Sequence, residues 1–309
     1  MKKELKNVLM PVDFKEPSIH AAKYAYNLAR KFEGELVLLY VIETSGFFSE
    51  LFAQEDTISK VRSEAEKKLA AVAESLKDKG SKVEITLKVE RGKPYRKILD
   101  TASAINTRMI VLGENHQVTE QDHELGTTIY HVTLKSEVPV LTFKGNTEEM
   151  PKKIVVPLDL TKETRKQLFS AITYGLNYNT EIHLVSVMIG GIKMRDSRIY
   201  RKLKRAKKTL EENGIVCIIK LFRRSDIPPY KKVMEYAEET QAGLILVMTH
   251  QEGFTFDNYI GAFAHHIINE SKVPVLSLTA SATNTDYSGL IKGMVDPLGV
   301  MFKNNKFKE

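Results

Sequence analysis

The sequence predicts an α/β protein in which two doubly wound parallel-sheet domains follow one another along the chain. Three observations predict it. The same ordered set of segments occurs twice. Within each set, short apolar runs alternate with longer stretches of helical periodicity, the pattern of strand–helix crossovers in a parallel sheet. The runs are apolar on both sides of the strand alternation, as helix-covered strands require. A length of 309 residues suits two domains, and 42% hydrophobic with 28% charged residues is the balance of an ordinary globular protein.

Landmarks define the repeat. "KNVLMPVDF" (6–14) and "KKIVVPLDL" (152–160) pair Pro11 with Pro157 and Asp13 with Asp159. "GELVLLYVIE" (34–43) matches "TEIHLVSVMI" (180–189), and "TRMIVLGENH" (107–116) matches "AGLILVMTHQ" (242–251). "SEVPVLTFK" (136–144) matches "SKVPVLSLT" (271–279), and Gly126 aligns with Gly261. The divisions follow: domain 1 over 1–144, a linker over 145–151, domain 2 over 152–279 and a tail over 280–309. The joint is polar and carries Gly and Pro, as linkers do.

In the first copy a strand is expected at 7–13, closing on Asp13, then a helix at 16–32 with Pro17 in its first turn. A strand at 35–42, a charge-mixed helix at 56–79 and a strand at 83–90 follow. Pro94 opens a helix at 94–105, and the run at 108–113 is the fourth strand. After a loop come a helix at 126–136 and a last strand at 138–143. The second copy repeats this order. Ligands of such sheets bind outside the carboxyl ends of strands where strand order reverses. That places the mouth at residues 11–15, 41–46 and 113–127, with their counterparts in the second copy.

The loop "GENHQVTEQDHELGTT" (113–128) has two glycines thirteen residues apart, followed by two threonines. It stands with "VLMPVDF", "AAKYAYNLA", "RGKPYRKIL" and "EVPVLTF". By these segments the chain resembles the universal stress protein family in tandem form, over about 1–144 and 152–279. The resemblance implies Rossmann-like domains of the adenine nucleotide alpha hydrolase-like type. It also implies that the last strands pair antiparallel, making an intramolecular pseudo-dimer with room for a homodimer.

Nucleotide-binding members of that family read Gly, two residues, Gly, nine residues, Gly, then Ser or Thr. Here the positions are Gly113, His116, Gly126 and Thr127, with Thr128 following. Loop amides and a helix N-terminus offer donors to phosphate, and glycine allows close backbone approach. The resemblance therefore implies ATP or AMP, with Mg²⁺ accompanying ATP, held by Pro11, Asp13, Val41, Gly113, His116, Gly126, Thr127 and Thr128. His116 either obstructs the phosphate path or donates to it as imidazolium, and Glu120, Asp122 and Glu124 add negative charge. Asp13 is either an acceptor for ribose or base, or an N-cap for the next helix. Val41 lines the base pocket or is plain core. In the second copy Met248, Gln251 and Ala262 replace the corresponding residues, and only Gly261 survives. That copy is expected not to bind.

Other signals bound the function. The sequence contains no GxxxxGK[ST], HExxH or GxSxG motif, and no nucleophile–base pair is evident. No catalytic residue is assigned, and slow ATP hydrolysis would lack magnesium carboxylates beyond Asp13. The histidines, among them His116, His123, His131, His265 and His266, lack metal-ligand spacing, so no metal site is assigned. Absence of a long apolar run or a signal-peptide pattern, together with the lone Cys217, leads to an expected cytoplasmic location without a membrane span. The net charge of +7 is mild, so nucleic acid is not the favoured partner. Residues 192–208 carry nine Lys or Arg against one Asp: a solvated face, or a footprint for an acidic partner. Two functions result. One is a non-enzymatic stress-response protein binding nucleotide in domain 1 only. The alternative is an interaction scaffold acting through the basic helix, the tail or a dimer surface.

Overall fold

A computed structural model describes residues 6–43, 55–77, 82–114, 126–145, 150–158, 165–188, 196–223, 225–249 and 260–279. The first repeat runs β1 (Asn7–Pro11), α1 (Glu16–Lys31), β2 (Leu36–Glu43), α2 (Glu55–Leu76), β3 (Ile85–Gly92), α3 (Pro94–Ala104), β4 (Thr107–Gly113), α4 (Thr127–Lys135) and β5 (Val140–Phe143). The second runs β6 (Lys153–Pro157), α5 (Arg165–Tyr178), β7 (Glu181–Val187), α6 (Asp196–Glu212), β8 (Cys217–Phe222), α7 (Pro229–Glu239), β9 (Leu244–Met248), α8 (Ala262–Glu270) and β10 (Val275–Leu278). The expected order of elements is met throughout. The first strand stops at Pro11 rather than Asp13, although the Val12 amide still donates to Leu39 O at 2.8 Å.

The ten described strands form one sheet in the order β3-β2-β1-β4-β5-β10-β9-β6-β7-β8. Pairing within each half is parallel, and the single antiparallel join is β5 with β10, Thr142 opposite Val275 and Leu141 opposite Leu276. Each half would otherwise expose an apolar edge strand, and the join covers both. One core lies on the face of α1, α2, α5 and α6 and runs unbroken across the seam. On the other face α3 and α4 cover one cluster and α7 and α8 another.

Local chemistry sets α1. Glu16 and a proline lie in its first turn and Arg30 and Lys31 in its last, complementing the helix dipole. Its alanines 21, 22, 25 and 29 are fully buried and let the helix sit close to the sheet.

Candidate functional site

The strand order of the first half reverses between β1 and β4, since β2 and β4 flank β1. The crevice therefore opens above the carboxyl ends of β1 and β4. Pro11 ends β1 there, and Phe14 takes a left-handed turn at φ 63. Asp13 stands in that turn with its side chain 58% exposed. Its Oδ1 accepts the Lys15 amide at 3.0 Å, and the Lys15 ammonium is 4.0 Å from Oδ2. The N-cap of α1 is Lys15, with no side-chain cap. The capping role for Asp13 is thus corrected: its carboxylate closes a turn ahead of the helix.

Gly113, the last residue of β4, meets α1 directly. A Cβ there would lie 2.6 Å from Pro17 O and 2.7 Å from Ser18 Cα. The glycine is required because the helix N-terminus crosses the strand end at backbone distance. Gly126 differs. It precedes α4 at φ −51, and a Cβ there would meet nothing within 4 Å. Nothing in the described protein demands glycine at that position.

α4 begins without a side-chain cap and without an acidic residue in its first turn. The amides of its opening turn lack intrahelical partners by geometry, and the hydroxyls of Thr127 and Thr128 stand among them. Val41 is half-buried and packs with Tyr95 and Leu99 on the α3 side of the sheet. Pro11, Asp13, Val41 and Gly113 lie at or near the carboxyl ends of the adjacent strands β2, β1 and β4, and Gly126, Thr127 and Thr128 lie at the start of α4. His116, with residues 115–125, lies outside the described residues.

In the second half Met248 occupies the position of Gly113, and α8 opens on Ala262, without a hydroxyl. The Gly261 amide donates to Thr249 O at 2.9 Å, and residues 250–259 lie outside the described residues.

Two polar networks escape sequence reading. Glu114, directly after Gly113, faces Lys144, which is only 2% exposed. The Lys144 ammonium donates to Ile268 O at 2.5 Å and Asn269 O at 3.0 Å, and stands 3.2 Å from Glu114 Oε2. Burial pushes the Glu114 carboxyl up and the Lys144 ammonium down, each opposed by the other's charge. Lys144 thereby ties the start of the loop to the end of α8 in the other half. Its counterpart Thr279 donates from Oγ1 to Ser136 O, the end of α4, at 2.7 Å. The only signal in the sequence is a lysine where the repeat has threonine. The second network joins Glu181 Oε1 to His183 Nε2 at 2.6 Å and His183 Nδ1 to the Tyr236 hydroxyl at 2.8 Å. His183 was hidden inside an apolar run.

His131, His265 and His266 are half-buried among aromatic neighbours. His131 lies 4.5 Å from Tyr95, His266 stacks on Tyr230 at 4.2 Å, and Tyr130 reaches His265 across the seam at 6.2 Å. Among the described residues no group of three or more His, Cys, Asp or Glu could hold a metal ion. No described helix is long and apolar enough to cross a membrane.

A repeated parallel α/β unit, joined through its last strands and open at a switch point, defines the class: a two-domain protein of Rossmann-like architecture. The chain belongs to the universal stress protein family, whose model matches residues 4–144 and again 150–278. It is 28% identical over 155 residues to a universal stress protein of Methanocaldococcus jannaschii, covering 47% of this chain and 85% of that protein. A universal stress protein of Bacillus subtilis is 26% identical over 141 residues, covering 43% of this chain and 95% of its own. The crystal structure of a universal stress protein from Archaeoglobus fulgidus superposes with a TM-score of 0.70 at 21% identity, covering 90% of this chain and 99% of that one. That likeness spans both halves and concerns the fold.

Proposed function

We propose that this universal stress protein binds an adenine nucleotide, ATP or AMP, in its first half and catalyses no reaction. The second half serves as its structural partner. One observation carries the reading: the opening of α4, where Gly126 stands in open space before two threonines, an uncapped first turn and no acidic residue. A phosphate needs that combination of approachable backbone, unpaired amides and helix dipole. Thr127 and Thr128 would donate hydroxyls to it, with Gly126 and Gly113 lining the approach. Pro11, Asp13 and Val41 would face the nucleoside, Asp13 accepting from a hydroxyl. His116 would close the loop over the phosphates. Asp13 is the carboxylate at hand for Mg²⁺ accompanying ATP. The second half has lost the matching residues at Met248 and Ala262. The cytoplasm is the proposed location.

The test is direct. Protein purified without added nucleotide is denatured and the supernatant analysed by mass spectrometry, and ATP with Mg²⁺ is then titrated calorimetrically. One site per chain is expected, lost in Gly126→Asp, which sets a carboxylate against the phosphate. Unchanged affinity in that variant sinks the site. The scaffold reading draws support from Gly113, which α1 packing requires with or without a ligand.

A further inference from the structure

The sheet ends in two edge strands that the repeat makes equivalent, β3 and β8. Their chemistry is not equivalent. On the face toward α3, β3 presents Thr86, Lys88 and Glu90, the last paired with Lys97 at 3.7 Å. On the matching face, β8 and the residue before it present Val216, Ile218, Lys220 and Phe222. Val216 is 64% exposed and Ile218 is 42% exposed. Natural edges are blunted by charge; β3 carries Lys88 and Glu90 on this face, whereas β8 carries Lys220 alone among apolar residues.

The backbone of β8 is also open. The amides of Ile182 and Met188 donate to Val216 O and Phe222 O. Parallel pairing alternates, so Val216, Ile218, Lys220 and Phe222 turn their peptide groups toward β7. Cys217, Ile219 and Leu221 turn theirs outward, and no described strand pairs with them. Above this edge, on the opposite face, sits α6. It buries Leu203, Ala206 and Leu210 and leaves Arg201, Lys204 and Arg205 exposed, with Lys208 also exposed but paired with Glu212 at 3.6 Å. The equivalent helix α2 mixes Glu64, Glu66 and Glu74 with Lys60, Arg62, Lys67 and Lys68.

We propose that β8 is a docking edge for an extended segment of another protein, added as an eleventh strand and alternating apolar with acidic residues. Successive side chains of such a strand point to opposite faces. Its apolar residues would cover Val216, Ile218 and Phe222, and its acidic residues would rise beside the basic flank of α6. Outward peptide groups of Cys217, Ile219 and Leu221 would supply the hydrogen bonds, as in other strand additions. A second copy of this chain fits poorly, because a twofold pairing of β8 would oppose two basic α6 flanks. The chain's own residues 280–309 carry four Lys against two Asp and one Glu, without the required alternation. The edge lies at the far end of the sheet from β1 and β4, so this inference stands apart from nucleotide binding.

The probe is a short fluorescent peptide alternating valine and glutamate, titrated into the full chain and followed by anisotropy. Saturable binding at one site per chain is expected, weakening as salt rises and falling at least about tenfold in Ile218→Glu and in Lys204→Glu/Arg205→Glu. Ile219→Pro removes an outward N–H and is expected to abolish binding; if it fails to fold, the surface variant Ile218→Glu still decides. Four results would each overturn the proposal. They are equal binding of a valine–lysine peptide, indifference to Ile218→Glu, and a chain dimer that Ile218→Glu converts to monomer. The fourth is capture of a single-stranded oligonucleotide through Lys204 and Arg205 in preference to the peptide.

Discussion

Replacing Lys144 by methionine tests whether the two halves are held together by a buried charge. Methionine keeps most of the stem volume, so the change is mainly electrostatic. It removes donors to Ile268 O and Asn269 O at 2.5 and 3.0 Å and leaves Glu114, with its carboxylate 15% exposed, without its counter-charge. Breaking one partner of a buried ion pair costs about 3–5 kcal/mol, most of it the stranded charge. The pH dependence carries the diagnostic sign. Burial raises the Glu114 carboxyl, and Lys144 opposes that rise, so its loss raises the carboxyl further. A carboxyl raised in the folded state holds its proton more tightly than in the unfolded chain. Its contribution is therefore present below the unfolded value of about 4.3 and lost as pH rises through the folded one. Lys144→Met should be mildest in acid and most damaging at neutral pH. Adding Glu114→Gln should restore part of the loss. Urea denaturation followed by circular dichroism, at a series of pH values, measures both. A loss under about 0.5 kcal/mol, typical of a neutral surface change, or a loss independent of pH, would show that Lys144 does not balance a buried Glu114 charge.

Four further outcomes follow from the same structure. Gly113→Ala must push its Cβ against Pro17 O and should cost about 1–3 kcal/mol. Gly126→Ala meets open space and should leave the thermal midpoint nearly unchanged; equal melting shifts for the two variants would contradict this. The Cys217 thiol is pushed up to about 12, first by burial, and should resist alkylation at mildly alkaline pH until urea unfolds the chain. Rapid labelling of folded protein would show that the thiol is reachable. Tyr236→Phe removes the partner of His183 Nδ1 and should cost about 1–3 kcal/mol, read from denaturant melts.

Element order was legible because its causes are local. Strand and helix periodicity, Pro17 and Pro94 at helix starts, and the repeated Pro–Asp ending need no knowledge of distant residues. The antiparallel join of β5 and β10 was also legible, through family resemblance and the need to cover two apolar edges. For Gly113, the sequence pointed to a position and not to its reason. The same residue suits a phosphate approach and a crossing helix, and only the 2.6 Å distance to Pro17 O shows the second at work.

The duplication and the α/β alternation could be read from sequence, because each rests on patterns within a few turns of chain. Tertiary structure alone decided the rest. Lys144 reaches a carbonyl 124 residues away, and His183 meets Tyr236 across 53 residues. The edge at β8 is open because no described strand lies beyond it. Which polar groups are desolvated together, and which apolar ones are left in water, depends on how the two halves stack into one sheet. No local pattern carries that information.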